Sequence, residues 1–187
     1  MGRAGGGRTE DEVGRWVLLA YRLPREPSTP RIGVWRRLER LGVARLGDGL
    51  VALPADARTR EQLDWLAEEI VEAGGVATVW LATPASATQE RAIAAAMRAA
   101  RAAEYQAITG QTRAAADGPA VARMRAARRL RGELRRIARR DFFPPAEREA
   151  AKAAVDALAA QAPADEAAMA PASTSAAAST TNLEERP

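Results

Sequence analysis

The sequence predicts an α+β chain, with a small antiparallel sheet built first and an all-helical segment built after it. Three observations predict this. Strand-like and helical stretches alternate as βαββαβ between Trp16 and Ala82. Two of the short strand-like runs are separated only by Gly47-Asp48-Gly49, a hairpin signal. Beyond Ala82 every apolar period is helical. The βαββαβ order is that of the ferredoxin-like split βαβ unit. The expected division is a disordered arm at 1–14, a ferredoxin-like domain at 15–83, a helical extension with an Arg-rich helix at 84–161 and a disordered tail at 162–187.

The arm, MGRAGGGRTEDEVG, is Gly-rich and charged with no apolar period. Trp16 to Leu23 is free of Gly and Pro and rich in bulky and branched side chains, which suits a strand. Its two faces, Trp16, Leu18 and Ala20 against Val17, Leu19 and Tyr21, are both apolar, so the second face is not expected to be bare. Pro24, Pro27 and Pro30 end the strand. Ser28 is placed to cap the next helix, with Pro30 in its first turn. Val34, Trp35, Leu38 and Leu41 form the stripe of that helix.

Val43 to Leu46 and Leu50 to Leu53 read as the hairpin. Thr59 with Gln62 reads as a capping box, and Leu63, Leu66, Ala67, Ile70 and Ala73 form a stripe that Gly74-Gly75 terminates. Val76 to Ala82 is the last strand. A helix is expected over Ser86–Ile108, ended by Gly110, then a loop over 112–118. A long helix follows over Pro119–Arg140, with Met124, Ala127, Leu130, Leu134 and Ile137 inward. Asp141-Phe142-Phe143-Pro144-Pro145 reads as a corner whose aromatics staple this helix to its successor, Ala146–Gln161. The four tryptophans, all on expected strands or helices, read mainly as core; Trp65 falls off its stripe and is the interface candidate.

With neither Cys nor His among 187 residues, thiolate nucleophiles, histidine bases, disulfides and the usual zinc sites are excluded. Carboxylates remain, but Asp48 reads as a turn residue, and Asp64, Glu68, Glu69 and Glu72 as a wet helix face. No phosphate-loop or dinucleotide motif is present. Catalytic residues, metal ligands and cofactors are therefore expected to be none. No stretch approaches the roughly 20 apolar residues of a membrane span, and the N-terminus lacks the apolar run of a signal peptide. The expected location is the cytoplasm, with no membrane partner.

The formal charge is +4 and 27 of the 28 basic residues are Arg. From Pro119 to Phe143, nine Arg stand against Glu133 and Asp141. They are Arg123, Arg125, Arg128, Arg129, Arg131, Arg135, Arg136, Arg139 and Arg140, all but covering the helix outside its apolar stripe. Guanidinium forks suit phosphate, and a basic helix face supplies the salt-dependent part of nucleic-acid binding. A solvated face in an Arg-biased proteome is the competing reading. DNA, through its phosphate backbone, is the expected partner. A homodimer, through the apolar second sheet face or the long helix, is also expected.

WVLLAYRLPREPSTPRIGVWRRLERLG, GDGLVALPADARTREQLDWLAEEIVEAGG and RRDFFPP together resemble the N-terminal domain of the chromate-resistance regulatory family ChrB. The resemblance covers most of residues 15–160. It implies a bacterial cytoplasmic regulator tied to chromate-responsive control of a chromate-efflux operon, with chromate as a candidate ligand. Full-length members carry a further rhodanese-like domain, so a sensing role located there is not carried over. The βαββαβ part is also similar in layout to the small CRISPR adaptation endonuclease and to PaaX-type repressors. The nuclease has a metal-binding Asp where this chain has Tyr21-Arg22, which argues against Mg²⁺-dependent cleavage. The expected function is a non-enzymatic DNA-binding regulator. A protein-interaction or dimerisation module and a degenerate nuclease are the alternatives.

Overall fold

A computed structural model describes residues 14–26 and 28–169, with the backbone alone for 162–169. The element order is β1 (Trp16–Arg22), α1 (Ser28–Leu41), β2 (Ala44–Gly47), β3 (Leu50–Pro54), α2 (Ala57–Glu72), β4 (Val76–Ala82), α3 (Ala87–Ala116), α4 (Ala120–Ala138) and α5 (Glu147–Met169). The four strands form one antiparallel sheet in the order β2-β3-β1-β4. Each βαβ pair thus has a strand of the other pair inserted between its own two. The expected arm up to Val13, the turn residue Pro27 and the tail from 170 onward lie outside the described residues. The helical backbone of α5 runs to Met169, past the point where the sequence reading begins the tail.

The register explains why β1 is apolar on both sides. Val17 pairs with Leu53 and Leu81, and Leu19 with Val51 and Val79. This face packs under α1 and α2 through Val34, Leu38, Leu63, Leu66 and Ile70, all at most 1% exposed. The opposite face carries Trp16, Leu18 and Ala20, beside Ala52 and Leu50 on one side and Ala82, Trp80 and Thr78 on the other. The first turns of α3 cover only its Trp16 end. There Trp16 is buried, donates from Nε1 to Glu90 Oε1 at 3.2 Å, and stacks on Phe143 with ring centroids 6.0 Å apart. On the two edge strands Trp80 and Leu46 stay exposed.

A second apolar cluster joins α3, α4 and α5 through Tyr105, Ile108, Ala127, Leu130, Ile137, Ala151, Val155 and Leu158. The N-terminal half of α3 packs with the sheet through Ile93 and Met97, and its C-terminal half with the helices. This single helix links the two cores.

Several local expectations are corrected. Gly110 does not end α3, because Tyr105, Ile108 and Thr112 are buried on both sides of it. That packing outweighs the roughly 1 kcal/mol cost of a helical glycine. The expected 112–118 loop is thereby reduced to a short turn at Asp117–Pro119. The capping box sits one turn earlier than expected. Thr59 N donates to Asp56 Oδ1 at 2.6 Å and Asp56 N to Thr59 Oγ1 at 3.0 Å, so Thr59 is the answering residue and not the cap.

Phe142 and Phe143 pack on the sheet core and do not staple α4 to α5. Three of the four tryptophans are not core: Trp35, Trp65 and Trp80 are 51%, 54% and 57% exposed. On α4, Met124 is exposed and Arg123 takes an inward place.

Candidate anion and nucleic-acid interface

α4 is amphipathic because its apolar residues recur at three- and four-residue intervals, and the bundle buries Ala127, Leu130 and Ile137. Every 3.6 residues the opposite side comes round with Arg125, Arg128, Gly132, Arg135 and Arg139. At 1.5 Å per residue, Arg125 to Arg139 spans about 21 Å of helix, the rise of about six base pairs. Among the described residues, none of Arg125, Arg128, Arg135 and Arg139 has a carboxylate within ion-pair distance. All four are exposed.

The flanking arginines are engaged. Arg129 donates to Gln111 Oε1 and Glu133 Oε1, both at 2.8 Å, and Arg131 to Asp156 Oδ1 at 3.0 Å. Arg136 stands 3.9 Å from Glu133, a loose pair on an exposed side chain. Arg140 bonds Glu104 Oε2 at 2.7 Å and is only partly exposed. These pairs leave nitrogens free for a phosphate but lower its electrostatic gain.

Arg123 is different in kind. It is 6% exposed, and its guanidinium donates to the backbone oxygens of Gly118 at 2.5 Å, Gln161 at 3.4 Å and Ala116 at 3.5 Å. It closes the α3–α4 turn against α5. Of the nine arginines picked from the sequence, it alone is turned from the shared surface into the bundle.

A convergence the sequence did not reveal lies where α4 ends. Arg136, Arg139 and Arg140 face Arg40 of α1 and Arg58 of α2 across a cleft of about 280 Å³, closed by Leu41, Gln62 and Phe142. Among the described residues no carboxylate lines it. Arg58 donates to the Arg139 carbonyl at 3.4 Å, a long bond that ties α2 to the end of α4. Five arginines from three parts of the chain line one space, a concentration of positive charge that suits an oxyanion or a backbone phosphate. Arg40 and Arg58 escaped notice because each reads as an ordinary wet helix position.

Among the described residues, two tyrosines have raised pKa values. Burial raises Tyr21, with Arg45 opposing it. Burial also raises Tyr105, helped by its hydrogen bond to Asp141 at 3.0 Å, to about 12. Neither lies in the arginine cleft. Among the described residues no cluster of three or more Asp and Glu could hold a metal ion. No helix among them is long and apolar enough to cross a membrane.

Comparison with known proteins relates part of this sequence to one family. The family described as "Protein ChrB, N-terminal" matches residues 31–114, from α1 to near the end of α3. A protein from Cupriavidus metallidurans named "Protein ChrB" is 32% identical over 133 residues, covering 69% of this chain and 40% of that protein. The chain thus spans well under two thirds of the relative's length. No solved structure matches it significantly. This chain carries an N-terminal ChrB-like domain.

Proposed function

We propose that this chain is a non-enzymatic, cytoplasmic regulator that binds DNA through the outer face of α4 and the arginine cleft beside it. In this reading it acts in control of a chromate-efflux operon, as the ChrB resemblance implies. The observation that carries the DNA reading is the line of exposed arginines with no carboxylate partner among the described residues, Arg125, Arg128, Arg135 and Arg139, continued by Arg40 and Arg58 onto the sheet unit. Such a surface supplies sequence-independent affinity through counterion release. The convergent cleft is also where a dianion such as chromate would be held.

The fold proposed is ferredoxin-like over 15–83 with a helical extension over 84–161; the strand order β2-β3-β1-β4 supports it. Homodimerisation through the open half of the sheet, where Trp80 and Leu46 are exposed, belongs to the same proposal. The test is retardation of the chain's own operon promoter fragment at low salt, with and without chromate. Retardation supports the reading. Its absence at low salt in both conditions refutes it and leaves the interaction module as the better account.

A further inference from the structure

A cavity of about 560 Å³ lies between the end of α1, the β2 edge, the N-terminal half of α3 and the Phe142–Phe143 corner. That volume is in the roughly 300–1,000 Å³ range of small-molecule sites. Ile93, Met97, Phe142 and Phe143 give it an apolar wall, and Arg101 and Arg140 stand at one end. The remaining charged residues of the lining, Glu39 and Arg45, pair with each other at 2.5 Å.

The two arginines share one carboxylate. Glu104 accepts from Arg101 Nη2 at 3.0 Å through one oxygen and from Arg140 Nη2 at 2.7 Å through the other. The trio therefore holds one positive charge more than negative. The Nε–H groups of Arg101 and Arg140 are buried without an acceptor, an arrangement that costs stability unless an acceptor arrives. Gly42 leaves room for the Arg101 guanidinium and the base of the Arg140 side chain: its φ is +69°, and a Cβ there would stand 2.6 Å from Arg101 Nη1 and 2.9 Å from Arg140 Cβ.

We infer that this cavity binds a small organic monoanion, a carboxylate whose apolar body lies against Ile93, Met97 and the two phenylalanines. One negative charge balances the trio, whereas a dianion would leave it over-neutralised. Arg140 lines both this cavity and the arginine cleft, so the ligand acts on the edge of the proposed DNA surface. The site itself does not depend on the DNA reading.

The test is calorimetric titration of the intact chain, without DNA, using sodium octanoate, 1-octanol and sodium sulfate. Octanoate is expected to saturate at one per chain. Octanol, lacking the charge, should bind at least about tenfold more weakly, the worth of a charge-assisted hydrogen bond. Sulfate should not saturate in the same range. Arg101→Gln should weaken octanoate by a similar factor. Ala96→Phe, at an exposed position on the cavity wall, should block it without touching the core. Octanol binding as well as octanoate, sulfate saturating in its place, or octanoate binding unchanged in Ala96→Phe overturns the inference. If Arg101→Gln does not fold, the ligand series and Ala96→Phe still decide. Failure here leaves the DNA surface untouched, and failure of DNA binding leaves this site untouched.

Discussion

Arg123→Gln and Arg128→Gln remove the same charge from the same helix, yet the structure predicts opposite consequences. Arg123 is 6% exposed and its guanidinium joins the α3–α4 turn to the Gln161 carbonyl of α5. Hydrogen bonds from a charged group are worth roughly 1.5–3 kcal/mol, and the 2.5 Å bond to Gly118 is far shorter than the other two, so one full contribution plus a weaker remainder is lost. The expected cost is about 2–4 kcal/mol. For a chain of this size that lowers Tm by roughly 5–15 °C.

Arg128 is exposed and without a carboxylate partner among the described residues, so its replacement should cost within about 0.5 kcal/mol. Thermal unfolding followed by circular dichroism reads the first effect. DNA affinity measured against salt, on folded protein, reads the second: Arg123→Gln should keep the wild-type slope, and Arg128→Gln should lose about 0.9 of it. If Arg123→Gln melts with the wild type and flattens the slope, its role as a clamp on the turn is refuted.

Gly49→Ala should destabilise by about 2–3 kcal/mol, read by urea unfolding. Gly49 has φ +72°, its Cβ would fall 2.2 Å from the Tyr21 carbonyl oxygen, and Tyr21 N donates to its carbonyl at 2.7 Å, so left-handed strain adds to a displaced bond. Tyr105 has a folded pKa of about 12 against 10.0 ordinarily. Its contribution is therefore complete below pH 10 and lost as pH rises towards 12. Tyr21 is raised as well, so phenolate absorbance should show two late-titrating tyrosines, one of which is lost in Tyr105→Phe, and that variant should lose about 1–3 kcal/mol at pH 7 because Asp141, with a fully buried side chain, loses its hydroxyl donor. Trp80→Glu should leave the monomer within about 1 kcal/mol of wild type, since Trp80 is 57% exposed, while abolishing the proposed dimer, which sedimentation of the wild type at high micromolar concentration is expected to show.

The sheet unit was largely legible because its signals are local. Gly47-Asp48-Gly49 sets the hairpin, Gly74-Gly75 stops α2, and β4 falls at Val76–Ala82 as its branched residues predict. Gly110 reads as a helix stop because a glycine's cost is local, whereas the burial of Tyr105 and Ile108 beside it that keeps α3 intact is tertiary. Tryptophan placement misled for a related reason. Trp35 and Trp80 lie on regular elements, but a helix has two flanks and a sheet two faces, and only tertiary cover decides which is dry.

The α4 arginines stood out because nine fall in one run. The inward turn of Arg123 did not, since it meets the backbone carbonyls of Ala116, Gly118 and Gln161, which have no sequence signature. Nor did the convergence of Arg40 and Arg58 with Arg136, Arg139 and Arg140, which requires α1, α2 and α4 to meet in space.

The central claim is that the exposed arginines along α4, with no carboxylate partner among the described residues, neutralise DNA phosphates. Its most direct test is duplex DNA affinity measured from low to physiological salt, for the wild type and for a variant with Arg125, Arg128, Arg135 and Arg139 all changed to Gln. The account predicts a linear fall of log affinity with log salt at about −0.9 per phosphate engaged, and a slope flatter by about 3–4 in the variant. A slope that is the same in both proteins would contradict it.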